Sequence, residues 1–282
     1  MSKYDKTTAL ISLLEDTDEK ISTVAFNELV LLGEKAIPNL KENYFDSTNS
    51  DYKSKINDLL KVINQPILEE KFKFILHNNT FDCLESGVFL ISNLEFPTLN
   101  SINYLEKLDD FANEILEDIV HFDDHFEVLG AMNRFFFEKM NFRGNQTNYY
   151  EPENSFINCV IDGKKGIPIS LSVIFILVAR RLNFPISGVG VPGHFLLKFR
   201  GKRDIFIDPF NNGNFLTAED CKKFVKLLNI PFKDEFLYPV SDKYILQRML
   251  RNLVGVYQNL DQKEKMEAFL RFSMILQKSP VG

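Results

Sequence analysis

The stretch from Asn154 to Phe210 constrains this chain more than any other. Within it, Gly166-Ile167-Pro168 leads into an apolar run that ends near Leu182. Proline is tolerated in the first turn of a helix, where its missing N–H costs no hydrogen bond, so this run predicts a helix. Asn183 is placed to end it. Three strand-like segments come next, at 186–191, 195–199 and 204–207, with Gly201-Lys202 as a hairpin turn between the last two. Pro192-Gly193-His194 forms a tight turn before the second strand, and Asp208-Pro209 closes the third. Antiparallel pairing of these strands brings His194 and Asp208 together. A carboxylate beside an imidazole fixes its tautomer and strengthens it as a base.

Helical periodicity dominates on either side. In the first ~75 residues, apolar positions recur at helical spacing around Leu10–Leu14 and Ile21–Leu32. Asp16, Thr17 and Asp18 break the two runs and supply an N-cap for the second. Gly33 ends that helix, and Ala36-Ile37-Pro38 starts another. This pattern resembles one HEAT-type unit, with a degenerate second around 52–63; a lone unit must pack on the rest of the chain. Further helices are expected over 87–94, 104–119 and 121–137, with Ser101 capping the second. Residues 141–154 read as a loop. Thr217 caps a short helix, and 242–260 with 263–276 form a final pair resembling a tetratricopeptide-like hairpin.

A nucleophile would turn the His–Asp pair into a reactive site. Ser170 lies in the first turn of the central helix and Ser172 further in. A serine there more often caps the helix than attacks a substrate. Cys159 sits ahead of the helix and, like Cys83 and Cys221, reads as a small buried hydrophobe. Arg143, Asn145, Tyr149, Tyr150, Asn154 and Asn158 cluster just before the helix. They supply cleft donors in one reading and tie a long loop to the core in the other, preferred one. Lys164-Lys165 reads as a solvated turn. His121 and His125 stand four apart on an expected surface helix but lack the Glu of a zinc helix.

Composition narrows the function classes. Of 282 residues, 45% are hydrophobic, enough core for one large domain or a few modules. A net charge of −6 argues against a nucleic-acid partner held by phosphate neutralisation. Met1–Asp5 shows no basic and apolar leader, and the longest apolar run, 173–179, is far short of a membrane span. Three scattered cysteines fit neither a disulfide framework nor zinc. The expectation is a cytoplasmic protein with no membrane or nucleic-acid partner, and no metal or cofactor is called for.

Several blocks occur in order: Phe142-Arg143-Gly144-Asn145; Tyr150, Pro152, Asn154-Ser155 and Asn158; Gly166-Ile167-Pro168-Ile169-Ser170-Leu171-Ser172; Ala179-Arg180-Arg181-Leu182; Gly190, Pro192-Gly193-His194-Phe195-Leu196; and Asp208-Pro209-Phe210. Together they resemble the bacterial SirB-type branch of transglutaminase-like proteins, a domain similar to one in some eukaryotic F-box proteins. The resemblance covers roughly 80–276. It implies a transglutaminase-like (papain-like) core followed by tetratricopeptide-like helices, with His194 and Asp208 at the catalytic positions. It also implies that Pro168 stands where the wider family has its cysteine, and Ser172 where the family prefers a small side chain.

The expected fold is therefore α+β and mainly helical. HEAT-like helices span 1–78, a transglutaminase-like core with a small antiparallel sheet spans 79–235, and a helical hairpin spans 236–282. The preferred function is a non-catalytic domain that binds a protein or peptide. One rival is a hydrolase or acyl-transferase on amide or ester bonds, with His194, Asp208 and either Ser170 or water. The other is a purely structural domain.

Overall fold

The computed structural model describes residues 6–77, 83–201 and 204–278. Met1–Asp5, the expected 78/79 boundary and Lys202 of the hairpin turn lie outside the described residues. The chain is mostly helical with two small sheets.

Three helices, α1 (Lys6–Ser12), α2 (Glu19–Leu32) and α3 (Ile37–Asp46), gather on the first half of a long helix, α4 (Ser50–His77). Asp18 caps α2 by accepting from the Lys20 amide at 2.9 Å, and Gly33 ends it at φ 58°. Ile11, Leu14, Ala25, Leu29, Leu40, Ile56 and Ile63 form this cluster. The second helical unit expected around 52–63 is part of α4, with no break of its own. From Leu68 onward, α4 packs into a different and larger core. Pro66 stands between the two, on an exposed face of the helix.

That larger core is built around α9 (Pro168–Arg181), whose residues 168–179 are all buried. A helix apolar on every side must be surrounded, and α9 is. Around it stand α5 (Cys83–Glu95), α6 (Ser101–Glu117), α8 (Ile157–Gly163) and α11 (Asp242–Asn259). Two of the sequence expectations shift here. Asn100 rather than Ser101 caps α6, accepting from the Ile102 amide. The helix expected over 121–137 begins only at His125, where Asp124 caps α7 (His125–Asn133), and passes into a π-helical turn, Arg134–Lys139. His121 is thus outside the helix and contacts Glu127, while His125 lies against Phe184 and Phe199.

Four strands form an antiparallel meander: β3 (Ile186–Val189), β4 (Leu196–Arg200), β5 (Asp204–Asp208) and β6 (Asn214–Leu216). Side chains alternate across a strand. Leu197, Phe199 and Ile207 face the main core beneath α9, while Leu196 and Phe206 join Val189 and Val225 under α10 (Ala218–Leu227). Both faces are covered. A second ladder pairs β1 (Arg143–Gly144) with β2 (Lys165–Gly166) in parallel, inside segments whose sequence reads as loop and solvated turn. Finally α12 (Lys263–Lys278) packs antiparallel to α11 and against α4, with Tyr257 stacked on Phe269 and Phe72 against Phe272.

Candidate functional site

The turn before β4 and the end of β5 do bring His194 and Asp208 together. Gly193 takes φ 72°, which glycine adopts without a steric cost, and turns the chain so that the His194 amide donates to the Val191 carbonyl at 3.0 Å. Arg248 of α11 donates to the His194 carbonyl at 2.8 Å and lies over the Phe195 ring. The imidazole Nε2 donates to Asp208 Oδ2 at 2.9 Å. In the neutral ring this leaves Nδ1 as the acceptor.

Asp208 is held from several sides. Its Oδ1 accepts from the Phe210 and Asn211 amides, and its Oδ2 also accepts from the Asn211 side chain at 2.7 Å. The same carboxylate therefore caps the short 3₁₀ turn Pro209–Asn211. Burial pushes its pKa up, but the His194 bond and charge and the Asn211 donors outweigh this. They hold the acid below the usual carboxylate range. The His194 ring is walled by Phe210 and by Phe224 of α10, and its side chain is 11% exposed.

Among the described residues, none of the expected nucleophiles stands ready beside this pair. Pro168 is buried at the first position of α9. Ser170 is fully buried, and its hydroxyl lies 2.6 Å from the Asn154 carbonyl while accepting from the Ile167 amide. Ser170 thus reaches back over the helix start as half of a capping box; Ile167 has no side-chain acceptor to complete it. Ser172 is buried without a hydrogen-bond partner. Burial and nearby acids push the Cys159 thiol up to about 11, and Cys221 likewise to about 11, so both stay protonated at neutral pH.

The polar cluster ahead of α9 divides. Asn154 is buried, donating to the Asn148 and Tyr149 carbonyls and accepting from Asn145, so it ties the 145–154 loop to the body. Asn158 is buried beside Cys159. Tyr150 lines a small groove of about 190 Å³ with Ile167 and Arg251. Arg143 and Asn145 line a polar cleft of about 520 Å³ together with Gln146, Thr147, Lys165, Phe210, Asn211, Asn212 and Asn214. Sequence reading missed Phe224, Arg248 and most of this cleft. The two cation–glycine dipeptides, Arg143-Gly144 and Lys165-Gly166, were the available signal.

A family described as the transglutaminase-like superfamily matches residues 102–251, just over half of the 282-residue chain. The chain belongs to the transglutaminase-like superfamily. Its match contains His194, Asp208, the central helix and both sheets, and it starts within α6. Among relatives of this transglutaminase-like chain, a UPF0162 protein of Xylella fastidiosa is 35% identical over 189 residues, covering 64% of this chain and 67% of the relative. F-box only protein 21 of Homo sapiens is 30% identical over 191 residues, 64% of this chain but 30% of that protein. Protein SirB1 of Salmonella typhimurium is 25% identical over 198 residues, 67% of this chain and 71% of its own length. The SirB-type placement read from the motifs is thereby shown. No solved structure matches.

Proposed function

We propose that this chain is a non-catalytic transglutaminase-like domain that binds a protein or peptide segment across the sheet end at His194. The observation that carries this is the tip of α9: Pro168 occupies it, and the one first-turn hydroxyl, Ser170, is buried and hydrogen-bonded to the Asn154 carbonyl. A hydroxyl so engaged cannot reach a carbonyl substrate without breaking the helix cap. The border of the imidazole favours binding. Phe224, Leu227 and Leu228 at the end of α10 are exposed, with Leu228 next to Gly193. Such an apolar rim suits a side chain of a bound segment.

One observation favours a second reading. His194 Nδ1 has no hydrogen-bond partner among the described residues, while Nε2 is bonded to an ionised acid. A water on Nδ1 could surrender its proton there as its oxygen attacks an amide or ester carbonyl. A single assay separates the two. Release of fluorophore from a panel of ester and anilide peptides is compared for the wild type and His194→Ala. The binding reading expects no difference between the two proteins. Turnover that disappears in His194→Ala overturns it and establishes a hydrolase.

A further inference from the structure

We infer that the polar cleft between the β1–β2 ladder and the Pro209–Asn214 segment recognises a carboxylate on the bound peptide. This inference rests on the peptide-binding reading and assigns the ligand chemistry of its neighbouring subsite.

Arg143 pairs with Lys165, and Gly144 with Gly166. Partner positions on adjacent strands place side chains on the same face, and like charges set opposite one another repel. The glycines explain why the ladder exists. A Cβ on Gly144 would come 2.5 Å from the Phe210 carbonyl oxygen, and one on Gly166 would come 2.6 Å from Ser170 Oγ. The glycine halves therefore pack inward against the 3₁₀ turn and the start of α9, while the two cations are left exposed side by side.

Neither Arg143 nor Lys165 has an acidic partner among the described residues, and no Asp or Glu lines the cleft. In the loop, Glu151 accepts from the Asn148 and Asn145 side chains. In a chain of net charge −6, an unneutralised pair of this kind is a local reversal of sign. The remaining lining is neutral and hydrogen-bonding. Gln146, Thr147, Asn212 and Asn214 have side chains without protein partners among the described residues. Amide side chains both donate and accept, as a peptide backbone requires. Two cations match one carboxylate, with Arg143 able to engage both of its oxygens.

The cleft also adjoins the His194 pair. Phe210 lines it and walls the imidazole, and Asn211 lines it while donating to Asp208. A segment seated at His194 thus continues past Phe210 into the cleft.

The test uses the full chain and Gly/Ser octapeptides that carry one Leu, a neutral BODIPY label and no, one or three Glu, with amidated or free C-termini. Inorganic phosphate serves as competitor. Anisotropy is read for the wild type, Arg143→Gln/Lys165→Gln, Phe224→Ala, and Lys20→Gln/Lys71→Gln as a charge-matched control. Thermal melts check folding. The expected result is acidic peptides binding at least tenfold tighter than neutral ones. That preference should vanish in Arg143→Gln/Lys165→Gln, persist in the control and weaken with salt. Peptides that bind regardless of acidity, unaffected by Arg143→Gln/Lys165→Gln but weakened by Phe224→Ala, overturn the carboxylate assignment and leave the domain a peptide binder. Phosphate binding through Arg143 and Lys165 without peptide binding makes the cleft a small-anion site and overturns the inference. Failure of every peptide to bind the wild type removes both readings.

Discussion

Ser170 and Asp208 each have a structural duty that can be measured apart from any chemistry. Ser170→Ala removes the bond to the Asn154 carbonyl and leaves the Ile167 amide poorly satisfied. The expected loss is about 1–2 kcal/mol of stability by urea unfolding, with no change in any binding constant. Asp208 is a question of pH. Its folded pKa is depressed, so its contribution is fully present above the unfolded carboxylate value of about 3.9 and is lost as pH falls through the lower folded value. Wild type should therefore be more stable than Asp208→Asn at neutral pH, with the gap closing only below about pH 4. A gap unchanged down to pH 2 would show that the carboxylate charge contributes nothing. The His194–Asp208 contact was legible because a turn residue and a strand-end residue mark their own positions in the chain. The fate of Ser170 was legible only as a preference, since a hydroxyl's partner here is a carbonyl sixteen residues away. Phe224 and Arg248 carry no local mark at all; packing of α10 and α11 brings them in.

Among the elements, long apolar runs were the most readable and short ones the least. The α9 run could hardly be anything but a buried helix. The β1–β2 ladder escaped notice because two-residue strands have no periodicity, and because Lys164-Lys165 looks like solvated charge. In the structure Lys164 takes φ 56° and lays its ammonium over Phe111 and Phe142. The π turn at 134–139 was equally hidden. Its Met140 amide bonds back five residues to Phe135, and three consecutive phenylalanines thereby reach separate targets: Phe111, Phe175 and Gly213. Glu95 ties four helices at once, accepting from Lys61 of α4, Lys265 of α12 and the Tyr257 hydroxyl of α11. Glu95→Gln should cost about 2 kcal/mol, less than a fully buried pair because Lys265 is partly solvated. Equilibrium unfolding of Glu95→Gln checks this, and a double variant with Lys61→Met should recover part of the loss. No recovery would mean that the stranded ammonium is not the source of the cost.

At the scale of the whole molecule, two apolar clusters share one helix. The buried residues of the smaller end at Ile63 and those of the larger begin at Leu68, both within α4. Helical periodicity runs through both halves of α4, and the boundary expected at 78/79 lies outside the described residues. Which cluster each turn serves is decided by partners far along the chain. Leu29→Ala should destabilise the small cluster by about 2–5 kcal/mol while amides of α9 keep their hydrogen-exchange protection. Equal loss of protection in α9 would show that the two clusters unfold as one. With 28 residues at a rise of ~1.5 Å each, α4 is a rod of roughly 42 Å. It leaves the two cores without a loop to absorb torsion, so a load on the small bundle is delivered to Phe72 and Leu76 through the helix itself. That rod lacks a rung at Pro66, whose nitrogen has no hydrogen to give the Val62 carbonyl.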